Sequence, residues 1–204
     1  MKRWIWALVI LPLLAAGDAP RLVYSKSFPG STPAYVEITL DRNGEGQYKE
    51  APNDDRPLKL QLSEQEVTQL FELAEKLGRF KNPLEAPVKV AFMGMKTFRF
   101  ESGTEKNEVK FNFSEDLDAR ALQDWFERIT ETEMHLISLE RVAKYDKLGV
   151  NKELLLLQSS FDRKRLVAPQ QLLPMLDRIV KNESIMHMAR LRASGLAEAI
   201  RATK

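Results

Sequence analysis

The stretch EVKFNFSEDLDARALQDWFERI, residues 108–129, changes its period in the middle. Up to Phe113 the apolar residues Val109, Phe111 and Phe113 alternate with Lys110 and Asn112, as the two faces of a strand require. From Asp116 the apolar positions are Leu117, Ala121, Leu122, Trp125, Phe126 and Ile129, three or four apart, as one helix face requires. This switch divides the chain into a β-rich part before it and a helical part after it, which is the pattern of an α+β fold.

Upstream, residues 21–28 and 34–42 are rich in β-branched and aromatic side chains, and Val36, Ile38 and Leu40 alternate with Tyr35, Glu37, Thr39 and Asp41. PGSTP between them is turn chemistry. Asn43-Gly44 ahead of GQYKE predicts a hairpin, because both central residues of a type I′ turn need positive φ. A short strand over 58–62 follows the polar loop 51–57. Ser63 with Glu66 three residues on makes a capping box, and Val67, Leu70, Phe71, Ala74 and Leu77 then predict a helix over 64–77, stopped by Gly78. Strands follow over 88–92, 96–101 and 108–113, with SGTEKN as the turn between the last two and Gly94 marking a bulge. The expectation is an antiparallel meander sheet with one capped helix. Leu62-Ser63-Glu64 and Phe113-Ser114-Glu115 each close a hairpin and open a helix, a weak echo that the frequency of Ser and Glu at helix starts also explains.

Downstream, Leu136, Ile137, Val142 and Leu148 carry the helical period on to Gly149, with an interruption expected near 130–133. A helix of some thirty residues would run about 45 Å, longer than a small sheet is wide, so its far end needs cover from further helices. Asn151 is the expected cap of the next helix, Pro169 opens another that Pro174 kinks or restarts, and Ser184 caps the last, from 185 to about 202. The chain thus divides into a leader, 1–17, a sheet domain, 18–115, and a C-terminal helical bundle, 116–204, packed on or beside it. The boundary falls near 115–130, inside the long helix, so the two parts are expected to share one core.

Lys2 and Arg3, the 13 apolar residues 4–16 and the small Ala15, Ala16 and Gly17 have the order of a secretory signal peptide. A spanning helix needs about 20 residues, so cleavage is expected rather than retention as a signal anchor. The cut is placed after Gly17, because cutting after Ala19 would leave Pro20 first. The chain has no cysteine to carry a lipid. The expectation is a periplasmic or secreted protein with no membrane span after signal cleavage.

Without Lys2 and Arg3 the chain holds 29 basic and 29 acidic residues. They are unevenly placed: 16 basic and 23 acidic over 18–140, net −7, against 13 and 6 over 141–204, net +7. Arg190, Arg192, Arg201 and Lys204 lie in or just past the last helix and are the candidate interaction residues, with an acidic protein or anionic envelope polymer as the partner class. Nucleic acid is an unexpected partner for an exported chain.

Two histidines and no cysteine leave little material for metal or nucleophilic chemistry. Asp54-Asp55 is an adjacent acidic pair, a candidate acid/base or cation site, and equally a solvated loop. Glu131 and His135, four apart on the long helix, project from one face and could form half a metal site, the alternative being a solvated helix face. His187 reads as a helix surface position. Asp41, Asn43, Glu45 and Gly46 open like a calcium loop, yet the twelfth position is Pro52 rather than a bidentate Glu. Trp125-Phe126 with Phe98, Phe100, Phe111 and Phe113 either line an apolar cavity or pack the core, the commoner reading of aromatics at structural periods. No phosphate-binding glycine loop, nucleophile elbow or paired-histidine motif is present, and no cofactor is implied.

The segment SFPGSTPAYVEITLDRNGEGQY, with its turn, alternating strand, Asn-Gly hairpin and tyrosine strand, resembles exported bacterial proteins of unknown function whose first domain is a small sheet with one or two helices. The resemblance covers roughly residues 24–114, and the chain departs from some such proteins in lacking a cysteine near Gly30. LLPMLDRIVKNESIMHMARLRASGLAEAI is similar in texture to a HEAT-like helical pair, with Ala189, Ala193 and Ala197 between larger residues. Neither resemblance implies an activity. The sequence as a whole points to an exported, non-catalytic binding or interaction module of the bacterial cell envelope. The alternative is a cell-envelope hydrolase or metal-dependent enzyme working through carboxylates.

Overall fold

The structure, a computed structural model, describes residues 19–203; the predicted leader, Asp18 and Lys204 lie outside the described residues. The alternating run 34–42 forms β2 (Tyr35–Asp41), which pairs antiparallel with β1 (Arg21–Ser27) on one side and β3 (Glu45–Lys49) on the other. β4 (Leu58–Gln61) completes this meander. β5 (Met95–Ser102) returns to the free side of β1, and β6 (Glu105–Phe111) pairs with it, giving the order β4-β3-β2-β1-β5-β6. The helices are α1 (Glu64–Lys76), α2 (Leu117–Tyr145), α3 (Val150–Asp162), α4 (Leu173–Lys181) and α5 (His187–Ala202). The fold is α+β.

Leu22, Tyr24, Val36, Ile38, Leu40, Tyr48, Phe98, Phe100 and Phe111 are buried on one face of the sheet, against Val67, Leu70, Phe71 and Ala74 of α1 and Ala119, Leu122, Phe126 and Ile129 of α2. The capping box forms: Ser63 Oγ accepts from the Glu66 amide, and Glu66 Oε2 accepts from the Ser63 amide at 2.8 Å. Phe98 sits at the centre of an aromatic group, its ring 5.1 Å from Phe111, 5.3 Å from Phe80 and 5.8 Å from Tyr24, so these aromatics are core.

Several sequence expectations need correction. Residues 88–92 form no strand. Pro87 lacks an amide hydrogen, the Met93 amide is taken by the Asn112 side chain at 2.7 Å, and Gly94 at φ +91° turns the chain into β5. The turn before β6 is shorter than SGTEKN, because only Gly103 and Thr104 separate the strands. At the Asn43-Gly44 hairpin the last paired residues are Leu40 and Gly46, and only Gly44 takes positive φ. Asn43 Oδ1 accepts from the Glu45 amide at 3.0 Å, an Asx turn in place of type I′. A Cβ on Gly44 would lie 2.5 Å from the Leu62 carbonyl oxygen, so this glycine is required twice over. The same contacts, with Asp41 paired to Arg21 at 2.6 Å, make the calcium-loop residues a turn.

α2 runs unbroken through 130–133; at 29 residues it is about 43 Å long. Neither Asn151 nor Ser184 caps a helix. Gly149 precedes α3, where a Cβ would lie 2.5 Å from Asp146 Oδ2, and Ser184 Oγ turns instead to Asn182 Oδ1 at 2.6 Å. Pro174 opens α4, after a 3-10 turn at Pro169–Leu172. The sheet and the helical part do share a core, through Ala119, Leu122, Phe126, Ile129, Val167 and Ala168, but the apolar residues form a second cluster as well. The second holds Leu139, Val150, Leu154, Leu157, Met175, Leu176, Ile179, Leu196 and Ile200. α2 contributes to both, and between its two contributions it buries Thr132 and Glu133. Among the described residues no helix is long and apolar enough to cross a membrane.

Candidate functional site

The turn between β1 and β2 is held by its own atoms: the Phe28 amide donates to the Ala34 carbonyl at 2.9 Å, and Ser31 Oγ lies 2.7 Å from the carbonyls of Phe28 and Pro33. This rigid lip faces α2 and α3 across a cavity of about 570 Å³. Glu127, Glu131, Met134, His135 and Ser138 line it from α2, and their spacing of three and four places them on one face. α3 adds Glu153, Leu156 and Ser160 by the same spacing, and β1 adds Tyr24 and Lys26. The volume lies within the range of small-molecule sites.

The sequence pair Glu131 and His135 lies in the wall of this cavity, where Ser160 joins them. Ser160 Oγ is 2.6 Å from Glu131 Oε1 and 2.9 Å from His135 Nε2. Arg165, in the loop after α3, donates from Nε to Glu131 Oε2 at 3.1 Å and from a terminal nitrogen to Asp124 Oδ1 at 2.6 Å. Those carboxylates, Asp124 foremost, raise the guanidinium's pKa above its ordinary value. Burial holds the His135 imidazole below its ordinary pKa, against the opposing pull of Glu131 and Glu153. It is therefore neutral near pH 7, and with the serine hydrogen directed to Glu131 it donates from Nε2 to the serine oxygen. The Glu131 carboxylate binds the hydroxyl instead of the far side of the imidazole, so the trio lacks the order in which an acid orients a base that takes the serine proton. What it does is fasten α3 and its following loop to the middle of α2.

At the sheet end of the cavity Tyr24 is 1% exposed, stacks on Phe126 with ring centres 4.8 Å apart, and its hydroxyl has no hydrogen-bond partner among the described residues. Burial, with the Glu127 charge adding to it, raises the phenol's pKa, so it stays a neutral donor. Lys26 Nζ is 3.3 Å from Glu127 Oε1, and Gln123 donates to the same oxygen at 2.9 Å. Lys96 is the cross-strand neighbour of Lys26, buried, with Nζ 2.6 Å from the Asn112 carbonyl. Burial and then the Lys26 charge depress its pKa.

The remaining candidates lie elsewhere. Asp54 Oδ1 accepts from the Arg56 amide at 2.9 Å and Asp55 is 90% exposed beside Arg56, so the pair is a solvated turn. Arg192 donates to Asn151 Oδ1 at 3.2 Å and Gln158 Oε1 at 2.7 Å on α3, and Arg201 holds both carboxylate oxygens of Asp177 on α4 at 2.6 and 2.7 Å. Arg190 is half-buried and its Nε is buried without a partner among the described residues. Arg192 and Arg201 thus bind the last helix to its neighbours. His187 is exposed at the start of α5. Among the described residues no group of three or more His, Cys, Asp or Glu is arranged to hold a metal ion. The sequence reading missed Tyr24, Ser160 and Arg165. The one available signal was the coincidence of three stripes, on β1, α2 and α3, which means nothing until the helices are docked. The chain matches no protein-family model, and no curated protein matches it.

Proposed function

We propose that the protein is an exported, non-catalytic binding module of the bacterial cell envelope, and that it takes a small ligand in the cavity between the β1–β2 lip and the α2/α3 pair. The observation that carries this reading is the Tyr24 hydroxyl, a buried donor with no protein partner in the wall of a cavity of ligand size. The leader-like residues 1–17 support export. The alternative, a hydrolase or metal-dependent enzyme working through carboxylates, draws less support, because Asp54 and Asp55 stand in a solvated turn and both oxygens of Glu131 are taken by Ser160 and Arg165. A second binding mode, to an acidic protein or anionic polymer, draws support from the +7 balance of residues 141–204 more than from Arg192 and Arg201, which already have partners.

A thermal-shift screen of chemically mixed small molecules tests the cavity. Some compounds should raise Tm for the native protein and fail to do so for Leu156→Trp, which fills the cavity from a partly exposed position. A screen with no stabilising compound, or equal shifts in both proteins, would overturn the reading.

A further inference from the structure

Resting on that reading, the hydrogen-bonding balance of the cavity points to the class of ligand. We infer that it binds a carboxylate with an apolar tail, the head meeting Tyr24 and Lys26 and the tail lying along Phe28, Met134 and Leu156. Three of the four carboxylate oxygens near the sheet end are already engaged: Glu127 Oε1 receives both Lys26 and Gln123, and Glu131 Oε1 and Oε2 receive Ser160 and Arg165. The donors are not. The Tyr24 hydroxyl has no partner among the described residues, and Lys26 has three N–H bonds, with Glu127 at 3.3 Å its one hydrogen-bond partner among the described residues. Charge runs the same way, since Lys26 and Lys96 are cross-strand neighbours on one face and share the single carboxylate of Glu127. Glu85 acts on Lys96 from the other side, where it is held by the Asn112 amide. A single anionic head beside Lys26 would give the tyrosine its acceptor and relieve the repulsion between the two ammonium groups. At the mouth Arg163 makes no ion pair among the described residues, and its Nε donates to the carbonyl of Ser159. It adds to the field that draws an anion in. The opposite end carries Glu153, half-buried and without a hydrogen bond or ion pair among the described residues, which discourages a second negative group and so selects a monoanion.

The test is titration of the purified mature protein with octanoate, octanol and octylamine, read by amide chemical shifts and by calorimetry. Octanoate should bind at least tenfold more tightly than octanol, with shifts confined to β1, α2 and α3. Tyr24→Phe, which keeps the ring stack, and Lys26→Gln should each weaken octanoate binding roughly tenfold and leave octanol unchanged. Because the Tyr24 hydroxyl has no partner to lose, Tyr24→Phe should leave the unfolding midpoint equal or higher, which separates a ligand contact from a structural one. Octylamine or octanol binding in the cavity as tightly as octanoate would overturn the carboxylate assignment while leaving the cavity reading intact. Failure of all three probes to perturb these residues, together with a blank screen, would remove both.

Discussion

The two apolar clusters are built on different principles. Beneath the sheet the core is aromatic, with Phe71, Phe98, Phe111, Phe126, Tyr24 and Tyr48 buried, and the helices that cover it start at side-chain caps, Ser63 for α1 and Asp116 for α2. Among α3, α4 and α5 the core is leucine, isoleucine and alanine, and none of the three helices has a side-chain cap. Local chemistry sets the helix boundaries in the first region. In the second, the helices dock on α2 and on one another, with small residues Ala189, Ala193 and Ala197 buried where α5 approaches α3 and α4. Between the two clusters lies a polar layer, Glu131, Thr132, Glu133, His135, Ser160 and Arg165, and the cavity opens at its edge.

The largest effect should come from the aromatic core. Phe111→Ala is expected to cost about 3–5 kcal/mol in denaturant unfolding, and Phe71→Ala the same. Leu154→Ala in the aliphatic core should cost about 2–5 kcal/mol. Because α2 belongs to both cores, probes placed in each should report one coincident transition. Two separated transitions would break the comparison into independent units.

The polar layer gives the next effect. Glu133 is fully buried, neither carboxyl oxygen has a hydrogen-bond partner among the described residues, and burial raises its pKa to about 7, with Gln171 lowering it only in part. The folded protein therefore holds this proton more tightly than the unfolded chain does. The associated stability is fully present below the ordinary carboxyl pKa of 4.5 and is lost as pH rises through about 7. It amounts to about 3 kcal/mol across that window. Glu133→Gln should flatten this slope, so that the variant gains on the native protein between pH 5 and pH 8; parallel stability curves would show that the carboxyl is solvated or paired.

The contrast in caps gives a smaller effect. Ser63→Ala should cost about 1 kcal/mol by removing the α1 capping box, whereas Ser184→Ala should change stability by less than about 0.5 kcal/mol, because no helix depends on it. Equal losses for the two would show that the second region is capped after all. The smallest effect is expected at Asp55→Asn, within about 0.5 kcal/mol and without effect on octanoate binding, since that residue stands in solvent.

The same contrast explains how much was legible in the sequence. Where a residue's role is fixed by its near neighbours, as in the alternation of 34–42, the Ser63/Glu66 box or the change of period at 113–117, the sequence reading and the structure agree. Where the role depends on a distant partner it was not legible. Residues 88–92 alternate like a strand, but the Ala91 carbonyl and the neighbouring Met93 amide are taken by the Asn112 side chain just past β6, and Asn151 has the chemistry of a cap but meets Arg192 from α5. The site divides in the same way. Glu131 and His135 were visible as an i, i+4 pair, while Ser160 and Arg165 come from residues 29 and 34 positions away from Glu131. Tyr24 looked like an ordinary strand residue because a missing hydrogen-bond partner leaves no trace in sequence.

The ends of the sheet decide how this protein can meet other chains. β4 is four residues long and carries Lys59, and β6 presents Lys106, Glu108 and Lys110 in exposed or charged positions. A short or charged border is a poor template for strand addition, so backbone pairing between copies, the usual first step toward fibrils, is discouraged on both flanks. Contact with another chain through backbone pairing is therefore disfavoured at both borders, and what remains open to other molecules is side-chain surface.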